Sequence, residues 1–372
     1  MSEISAPQPP VLMDNPEAYT QRFNIINGRL KTVEDFEAKS PEYTEGQKKL
    51  VELEAKMFGV NPDTNPQGFV DAHAQFVAET EADLQESLPH IKEDVVERVA
   101  SYFAVDDETT KDGLKDLMNR RLAETTEVGV YDSLSTNKDS GGFFNGMARQ
   151  PHLVISELAL AVEASESHED YKEKIDKVIL AHEVMHGIFT SGTQATGMHD
   201  HWTIRNGLSV DFHTNPNEFM EDKTIKHGQW LNEATLESFR WDLFETDDVR
   251  YEPGVILLET LDELQPGLRD ELVTAALDAK GPGSVFGKVE LLLGPTGIEE
   301  VEELLVKVKR FADFPEYKAN VIGMLPKDLQ AKASEIFSRK ELEVFGNREW
   351  YRAEMAKLAA PLLDAAIERP LE

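Results

Sequence analysis

Two histidines separated by three residues flank a glutamate in the segment His182-Glu183-Val184-Met185-His186. Residues four apart lie on one face of an α-helix, so both imidazoles can reach the same metal ion. Glu183 points about 100° further around the helix than His182. Its carboxylate would lie beside the metal ion, where it can accept a proton from water. The spacing predicts a zinc ion bound by His182 and His186, with Glu183 as the general base.

The residues around this motif are apolar. From Val178 to Phe189, every residue except the two histidines, the glutamate and Gly187 is apolar. This pattern predicts a helix that is buried on nearly all sides. Buried ionisable side chains are costly unless they are paired or bind a metal. The pattern therefore favours a metal centre over a surface helix with histidines that bind nothing.

The third zinc ligand must come from outside the motif. A histidine in the extended pattern HExxHxxGxxH requires Gly at 189 and His at 192, where this chain has Phe189 and Gly192. An aspartate in a Gly-Thr-x-x-Asp arrangement would fall at position 196, which is Thr196. Both arrangements fail, which leaves a glutamate on a later helix.

The segment 226–245 is predicted to be helical and carries two candidate carboxylates, Glu233 and Glu237. With a period of 3.6 residues they share a stripe with large or apolar residues, namely Trp230, Ala234, Trp241 and Phe244. Zinc and its imidazole ligands would neutralise them, with Glu233 as the third ligand. Glu237, one turn on, would accept the second ring N–H of a ligating histidine. The alternative is that the glutamates form ion pairs with Arg240 or Lys226.

The chain resembles the gluzincin metallopeptidases, which include the thermolysin-like enzymes. The resemblance consists of the HExxH motif and of a later predicted helix that carries Asn232-Glu233 and an acid four residues after Glu233. The resemblance implies that Glu233 is the third zinc ligand and that Glu237 supports a ligand histidine. It covers Gly142 to Glu245 and includes the strand Phe143-Phe144-Asn145-Gly146. In that family the corresponding edge strand binds the substrate backbone.

The family usually supplies a histidine or tyrosine that stabilises the oxyanion of the tetrahedral intermediate. The candidates here are Tyr251, which we take as the catalytic residue, and His213 and His227. The Gly-x-Met-Glu-Asn signature of the aminopeptidase branch is absent. The run His199-Asp200-His201 is interpreted as a second metal site, an alternative third ligand or a group that contacts the ligands or substrate.

The pattern along the chain predicts an α+β fold that is mostly helical. We expect a zincin-like catalytic core with a small mixed β-sheet, an HExxH active-site helix and a second Glu-bearing helix, flanked by helical regions. The predicted regions are 1–125 (helical), 126–250 (the core) and 251–372 (helical). Predicted elements of the core are strands at 127–131 and 152–156, a hairpin at 141–146, and helices at 170–190 and 226–245.

The composition of the chain restricts the partners and the kinds of metal site that it can have. The chain has 372 residues and a net charge of −32, which disfavours nucleic acid and anionic lipid as partners. It contains no cysteine, so thiolate metal sites and disulfides are excluded. No signal peptide and no apolar run long enough to span a bilayer is visible, which predicts a cytoplasmic protein.

These patterns predict a zinc metallopeptidase with one zinc ion per chain, acting on a peptide or protein substrate. The alternative is a catalytically inactive, zinc-stabilised peptide-binding or scaffold protein. An intact Glu183 disfavours that alternative, since a structural site needs no base. A di-iron bundle would need a second ExxH motif. His186 is the only histidine with a glutamate three residues before it.

Overall fold

The computed structural model describes residues 45–62, 64–103, 108–123, 125–131, 142–145, 152–156, 171–189, 194–198, 201–213, 225–246, 249–277, 283–308 and 311–346. Over these residues the chain is mostly helical, as predicted. By internal contacts it divides into two units, Met1–Gly207 with Asp211–Ile225, and Leu208–Val210 with Lys226–Glu372. The three regions drawn from the sequence stay a prediction.

The helices of the first unit are α1 (Glu45–Phe58), α2 (Pro66–Phe103), α3 (Glu108–Leu122), α4 (Tyr171–Lys174) and α5 (Ala181–Phe189). A π-helical stretch, Ile175–Leu180, joins α4 to α5. Its last turn is closed by the backbone N–H of Ala181, which donates to the carbonyl of Asp176, five residues earlier. The predicted helix at 170–190 is therefore confirmed, but its middle is wound more loosely than an α-helix.

The strands are short. They are β1 (Glu127–Tyr131), β2 (Gly142–Asn145), β3 (His152–Ser156), β4 (Gln194–Met198), β5 (His201–Asn206), β6 (Ser209–His213) and β7 (Ile225–His227). β3 lies between β1, with which it pairs in parallel, and β2, with which it pairs antiparallel. β4 pairs antiparallel with β5. The predicted strands at 127–131 and 152–156 are confirmed.

The hairpin expected at 141–146 is wrong for the residues that the structure describes there. Gly142–Asn145 forms one strand, and its partner is β3. Phe143 stands opposite Val154, and Phe144 opposite Leu153. The pairing partner is therefore the next strand of the chain, and not a second strand within residues 141–146.

In the first unit, α2 packs against α1, α3, β1, α5 and the π-helical stretch. It buries a row of apolar residues at helical spacing, which includes Leu84, Leu88, Ile91, Val95 and Val99. Two of its polar side chains also bond the backbone of β1. Glu81 Oε1 accepts the Val130 N–H, and Gln85 Oε1 accepts the Val128 N–H, each at 3.1 Å. One edge of the three-stranded sheet is thus covered by α2.

The helices of the second unit are α6 (Gln229–Phe244), α7 (Glu252–Leu264), α8 (Leu268–Leu277), α9 (Gly283–Leu293), α10 (Gly297–Lys307), α11 (Phe314–Met324) and α12 (Lys327–Phe345). α6 packs against α7, α8 and α10, and α7 also packs against α12. In the parts of the chain described above, no helix combines the length and the apolar character needed to cross a membrane.

The predicted start of the second site helix is wrong by three residues. Residues 225–227 form β7, and α6 begins at Gln229. The residue between them, Gly228, has a φ of 77°, which disfavours any residue with a Cβ. A Cβ added there would also lie 2.8 Å from Phe286 Cζ. Because the chain must turn sharply at Gly228, the helix cannot extend back to Lys226.

Candidate metal centre

All nine residues of α5 are buried, including the three ionisable ones. The exposed fraction is 2% for His182, 3% for Glu183 and 8% for His186. The apolar neighbours therefore bury this helix on all sides, as the sequence predicts. Removing three polar side chains from water costs free energy that a bound cation with its ligand bonds would offset.

The two imidazoles of α5 converge on each other. Their Nε2 atoms lie 3.0 Å apart, and the ring planes are inclined by 74°. Two neutral ring nitrogens that both carry lone pairs repel at this distance, so they need a proton or a cation between them. Nitrogens bound to one tetrahedral zinc ion at about 2.0–2.1 Å would lie roughly 3.3 Å apart. The observed separation is close to that value.

Glu233 completes a group with these two histidines. One ligand atom from each of His182, His186 and Glu233 lies within 4.8 Å of the other two. Glu233 is half-buried, whereas both histidines are buried. Two imidazole nitrogens and one carboxylate oxygen form a donor set that suits a transition metal such as zinc. The three predicted ligands are therefore brought together in a group that can hold a metal ion.

Two contacts in the first unit fix the position of α5, and neither is evident in the sequence. Arg121, on α3, donates from Nη1 to the carbonyl of Ile188 at 2.6 Å, in the last turn of α5 where carbonyls lack helical partners. Ser87, on α2, donates to Asp176 Oδ2 at 3.1 Å. Burial raises the pKa of Asp176, and the Ser87 hydrogen bond opposes that rise. The helix with the HExxH motif is thus held at both ends.

Glu237 lies on α6 with its side chain fully buried, and the structure pairs it with Arg240. The ion pair between these residues that we weighed as an alternative is therefore present. The backbone N–H of Arg250 also donates to Glu237 Oε1, at 2.6 Å. The role of Glu237 as acceptor for a ligand histidine stays a prediction.

The burial of Arg240 is unexpected. Its side chain is fully buried, although arginine is almost never buried unless paired. The predicted stripe on α6 also underestimates the burial of the helix. Leu231, Thr235 and Phe239 lie off that stripe and are buried too. The hydrophobic period alone did not reveal that this helix is enclosed on most sides.

Tyr251 immediately precedes α7. Its backbone is in the left-handed region, with a φ of 52°, and 39% of the residue is exposed. Its carbonyl accepts the N–H groups of Gly254 and Val255 at 2.9 and 3.0 Å. Its catalytic role stays a prediction.

The strand predicted to bind substrate is partly described. Phe143, Phe144 and Asn145 belong to β2, whereas Gly146 lies outside the described residues. β2 stands at the end of the strand order opposite to β1, and it contacts α5. In the three-stranded sheet, β2 therefore forms the edge beside the HExxH helix. Side chains of α2 accept hydrogen bonds from the other edge, which is β1.

The remaining histidines give less information. His199 and Asp200 lie outside the described residues, and His201 begins β5. His213 ends β6, and His227 ends β7. The second metal site and the alternative oxyanion residues therefore stay predictions.

Comparisons of the chain with protein-family models, with curated proteins and with solved structures find no match. The resemblance to the gluzincins consequently depends on the residues of the two site helices and of β2 alone.

Proposed function

We propose that this protein is a zinc-dependent peptidase with a zincin-like core of the gluzincin type. The observation that carries the proposal is the group of three ligand atoms from His182, His186 and Glu233, all within 4.8 Å of one another. A carboxylate that is not among these ligands, Glu183, is buried on the same helix as the two histidines. Two imidazoles, one carboxylate and a separate acid form the combination that a hydrolytic zinc site requires.

The nature of the three ligands favours zinc over other metals. Imidazole suits zinc, copper, iron and nickel, whereas magnesium and calcium prefer oxygen ligands only. Zinc has no redox chemistry to control, and its catalytic sites commonly have three protein ligands. When bound, zinc supplies Lewis acidity, which polarises a peptide carbonyl and acidifies water.

Glu183 performs the proton transfers in this proposal. It accepts a proton from the attacking water as the new carbon–oxygen bond forms, and it returns that proton to the amine as the peptide carbon–nitrogen bond breaks. The products are one new carboxyl group and one new amino group. The apolar surroundings of α5 exclude bulk water, which strengthens electrostatic interactions at the site.

Strand β2 supplies a means of binding substrate. A strand at the end of a sheet can pair with an extended peptide through backbone hydrogen bonds. β2 occupies such an end and contacts α5. We propose that the peptide substrate adds to β2 and that its scissile bond is thereby presented to the residues of α5.

The test compares two substitutions, Glu183→Gln and Glu233→Ala, by metal analysis, folding and cleavage of a mixed peptide library. Glutamine cannot accept the proton, so turnover should fall by about 10²–10⁴-fold while bound zinc is retained. Removing Glu233 opens the ligand set, so zinc occupancy itself should fall. The purified wild type should contain about one zinc ion per chain.

The matched control is Glu173→Gln, which removes an exposed carboxylate from α4 on the same continuous helix. It should retain both zinc and turnover. Equal cleavage by wild type and Glu183→Gln would exclude the proposed base. Full zinc occupancy with no cleavage of any peptide would favour the zinc-stabilised scaffold, and absence of zinc uptake would exclude the metal centre.

A further inference from the structure

The first turn of α6 begins without a side-chain cap. The residue before Gln229 is Gly228, and no capping hydrogen bond from a side chain is made there. The first turn also lacks an acidic residue, which would interact favourably with the positive end of the helix dipole. The first N–H groups of a helix have no partners within it, and helix ends fray. Glu233, the proposed third zinc ligand, lies just one turn after this start.

Contacts with other elements of the second unit hold this turn instead. The side chain of Asn232 is in a residue that is 2% exposed, and its Oδ1 accepts the backbone N–H of Leu208 at 2.9 Å. The indole N–H of Trp230 donates to the carbonyl of Ile298, at the start of α10, at 2.8 Å. All four residues belong to the second unit. The orientation of the first turn of α6 therefore depends on tertiary hydrogen bonds.

The N–H of Leu208 requires a partner from outside its own turn. Leu208 is the second residue of the two-residue turn between β5 and β6. The first residue, Gly207, has a φ of 60°, as is common in tight hairpin turns. The hydrogen bond of such a turn joins its first and fourth residues, which are the two that flank Gly207 and Leu208. Because Leu208 is fully buried, its N–H would be costly to leave unsatisfied, and Asn232 satisfies it.

The turn between β5 and β6 and the start of α6 approach each other closely. A Cβ added to Gly228 would lie 3.2 Å from the carbonyl oxygen of Leu208. The backbone N–H of Asn232 donates to the carbonyl of Gly228 at 3.0 Å, which closes the first helical turn. Residues 232 and 233 are about 100° apart around the same helix. A rotation of this turn that moved Glu233 would therefore break the buried bond between Asn232 and Leu208.

We infer that Asn232 is a positioning residue that holds Glu233 in place for the metal ion, an inference that rests on the proposed metal centre. Asn232 acts through the backbone of α6, because its bond to Leu208 fixes the turn from which Glu233 projects. A ligand that is already held in its binding geometry loses less conformational freedom when the metal binds, which raises the affinity. The resemblance to the gluzincins implies roles for Glu233 and Glu237, and the bond to Leu208 gives Asn232 a role as well.

The experiment uses the full-length protein and compares wild type with Asn232→Leu, Asn232→Asp and Thr260→Val. Asn232→Leu removes the acceptor at similar size, whereas Asn232→Asp keeps an oxygen that can accept the Leu208 N–H. Thr260→Val is the matched control, because its hydroxyl is also buried and bonds the carbonyl of Ile256 within α7 at 2.7 Å. Zinc affinity is measured by competition with a chelator, the free energy of unfolding by denaturant, and the amide exchange rate at Leu208 by hydrogen exchange.

Asn232→Leu should weaken zinc binding about tenfold, the lower end of the range for losing a residue that supports a metal ligand, since the Trp230 bond still holds the turn. Amide exchange at Leu208 should accelerate about fivefold, the factor that one ordinary hydrogen bond contributes. Asn232→Asp should bind zinc at least as tightly as wild type, although its buried charge lowers the free energy of unfolding. Thr260→Val should lower the free energy of unfolding without changing zinc affinity.

An effect of Asn232→Leu on zinc affinity no larger than that of Thr260→Val would overturn the inference. Equal losses of affinity in Asn232→Leu and Asn232→Asp would overturn it too, since the acceptor oxygen would then be irrelevant. If Asn232→Leu does not fold, Asn232→Ala takes its place in the same comparison. If wild type binds no zinc, the metal centre and this inference both fail. If wild type binds zinc but cleaves no peptide, the peptidase function alone fails, and the affinities still decide the role of Asn232.

Discussion

Helices α5 and α6 both bury ionisable side chains, but the charges are balanced in different ways. In α6, Glu237 is paired with Arg240 from the same helix. Helix α5 contains no lysine or arginine in its sequence, and its buried Glu183 lies between two histidines whose Nε2 atoms converge. A helix that carries its own counter-charge is stable without a ligand, whereas the polar groups of α5 are arranged to receive an external cation.

The largest effect should come from removing the internal counter-charge of α6. Arg240→Met leaves the carboxylate of Glu237 buried without its guanidinium partner, so we expect the free energy of unfolding to fall by about 3–5 kcal/mol. Denaturant unfolding measures this change. The control is Arg120→Met, which removes an exposed pair with Asp116 and should cost less than about 1 kcal/mol. If Arg240→Met lowered the free energy of unfolding by less than about 1 kcal/mol, the buried pair would contribute no more than the exposed pair.

A smaller effect should come from supplying the external cation to α5. Zinc at 100–1,000 times its dissociation constant should stabilise the wild type by about 2.7–4.1 kcal/mol, since it binds the folded state. His186→Gln should abolish this stabilisation. His90→Gln, at an exposed position of α2, should retain it. Thermal unfolding with and without zinc provides the measurement, and an equal response of both variants would disprove the predicted ligand.

The two helices are coupled if Glu237 also supports a ligand histidine. Under that prediction, Glu237→Gln weakens zinc binding by about 10–100-fold, as is usual when a partner of a metal ligand is lost. Competition with a chelator of known affinity measures the change. Glu303→Gln, an exposed carboxylate on α10, serves as the control. Unchanged zinc affinity would leave Glu237 with its buried ion pair to Arg240 alone.

The smallest effect concerns the π-helical stretch before α5. Burial raises the pKa of Asp176, so its ionised form is less favourable in the folded than in the unfolded state. Above the folded pKa this carboxylate destabilises the fold, and the penalty disappears as the pH falls through that pKa towards 3.8. Asp176→Asn should therefore raise Tm slightly at pH 7.

The difference in Tm between Asp176→Asn and the wild type should disappear in acid. Thermal unfolding of both proteins from pH 7 down to acidic pH measures this difference. Asp112→Asn, at an exposed position of α3, should show no such gain. A lower Tm for Asp176→Asn at pH 7 would mean that the charge of Asp176 is needed in the fold.

Much of the candidate site was predictable because it depends on local geometry. The spacing of His182 and His186 fixes their common face once the segment is helical, and the apolar residues around them make it both helical and buried. Glu233 was predicted in the same way, from its place on a second helix after two other ligand patterns had failed. The strands β1 and β3 have the β-branched composition that predicts strands.

Other features depend on residues that are distant in sequence, and their patterns gave no signal. The parallel pairing of β1 with β3 aligns Glu127 with His152, which is 25 residues later in the chain, and β4 lacks an alternating apolar pattern. The Arg121 bond to α5 and the α2 side chains on β1 join helices and strands that are tens of residues apart. No local rule connects such positions.

The sequence by itself therefore determined which side chains could bind a metal ion, because ligand type and helical spacing are local properties. The tertiary structure decided how the other buried charges are balanced. Glu237 could have bonded a histidine or an arginine according to its spacing alone, and the packing of α6 brings the guanidinium of Arg240 into bidentate contact. A buried carboxylate takes the partners that packing places within hydrogen-bond distance, since water is no longer available to solvate it.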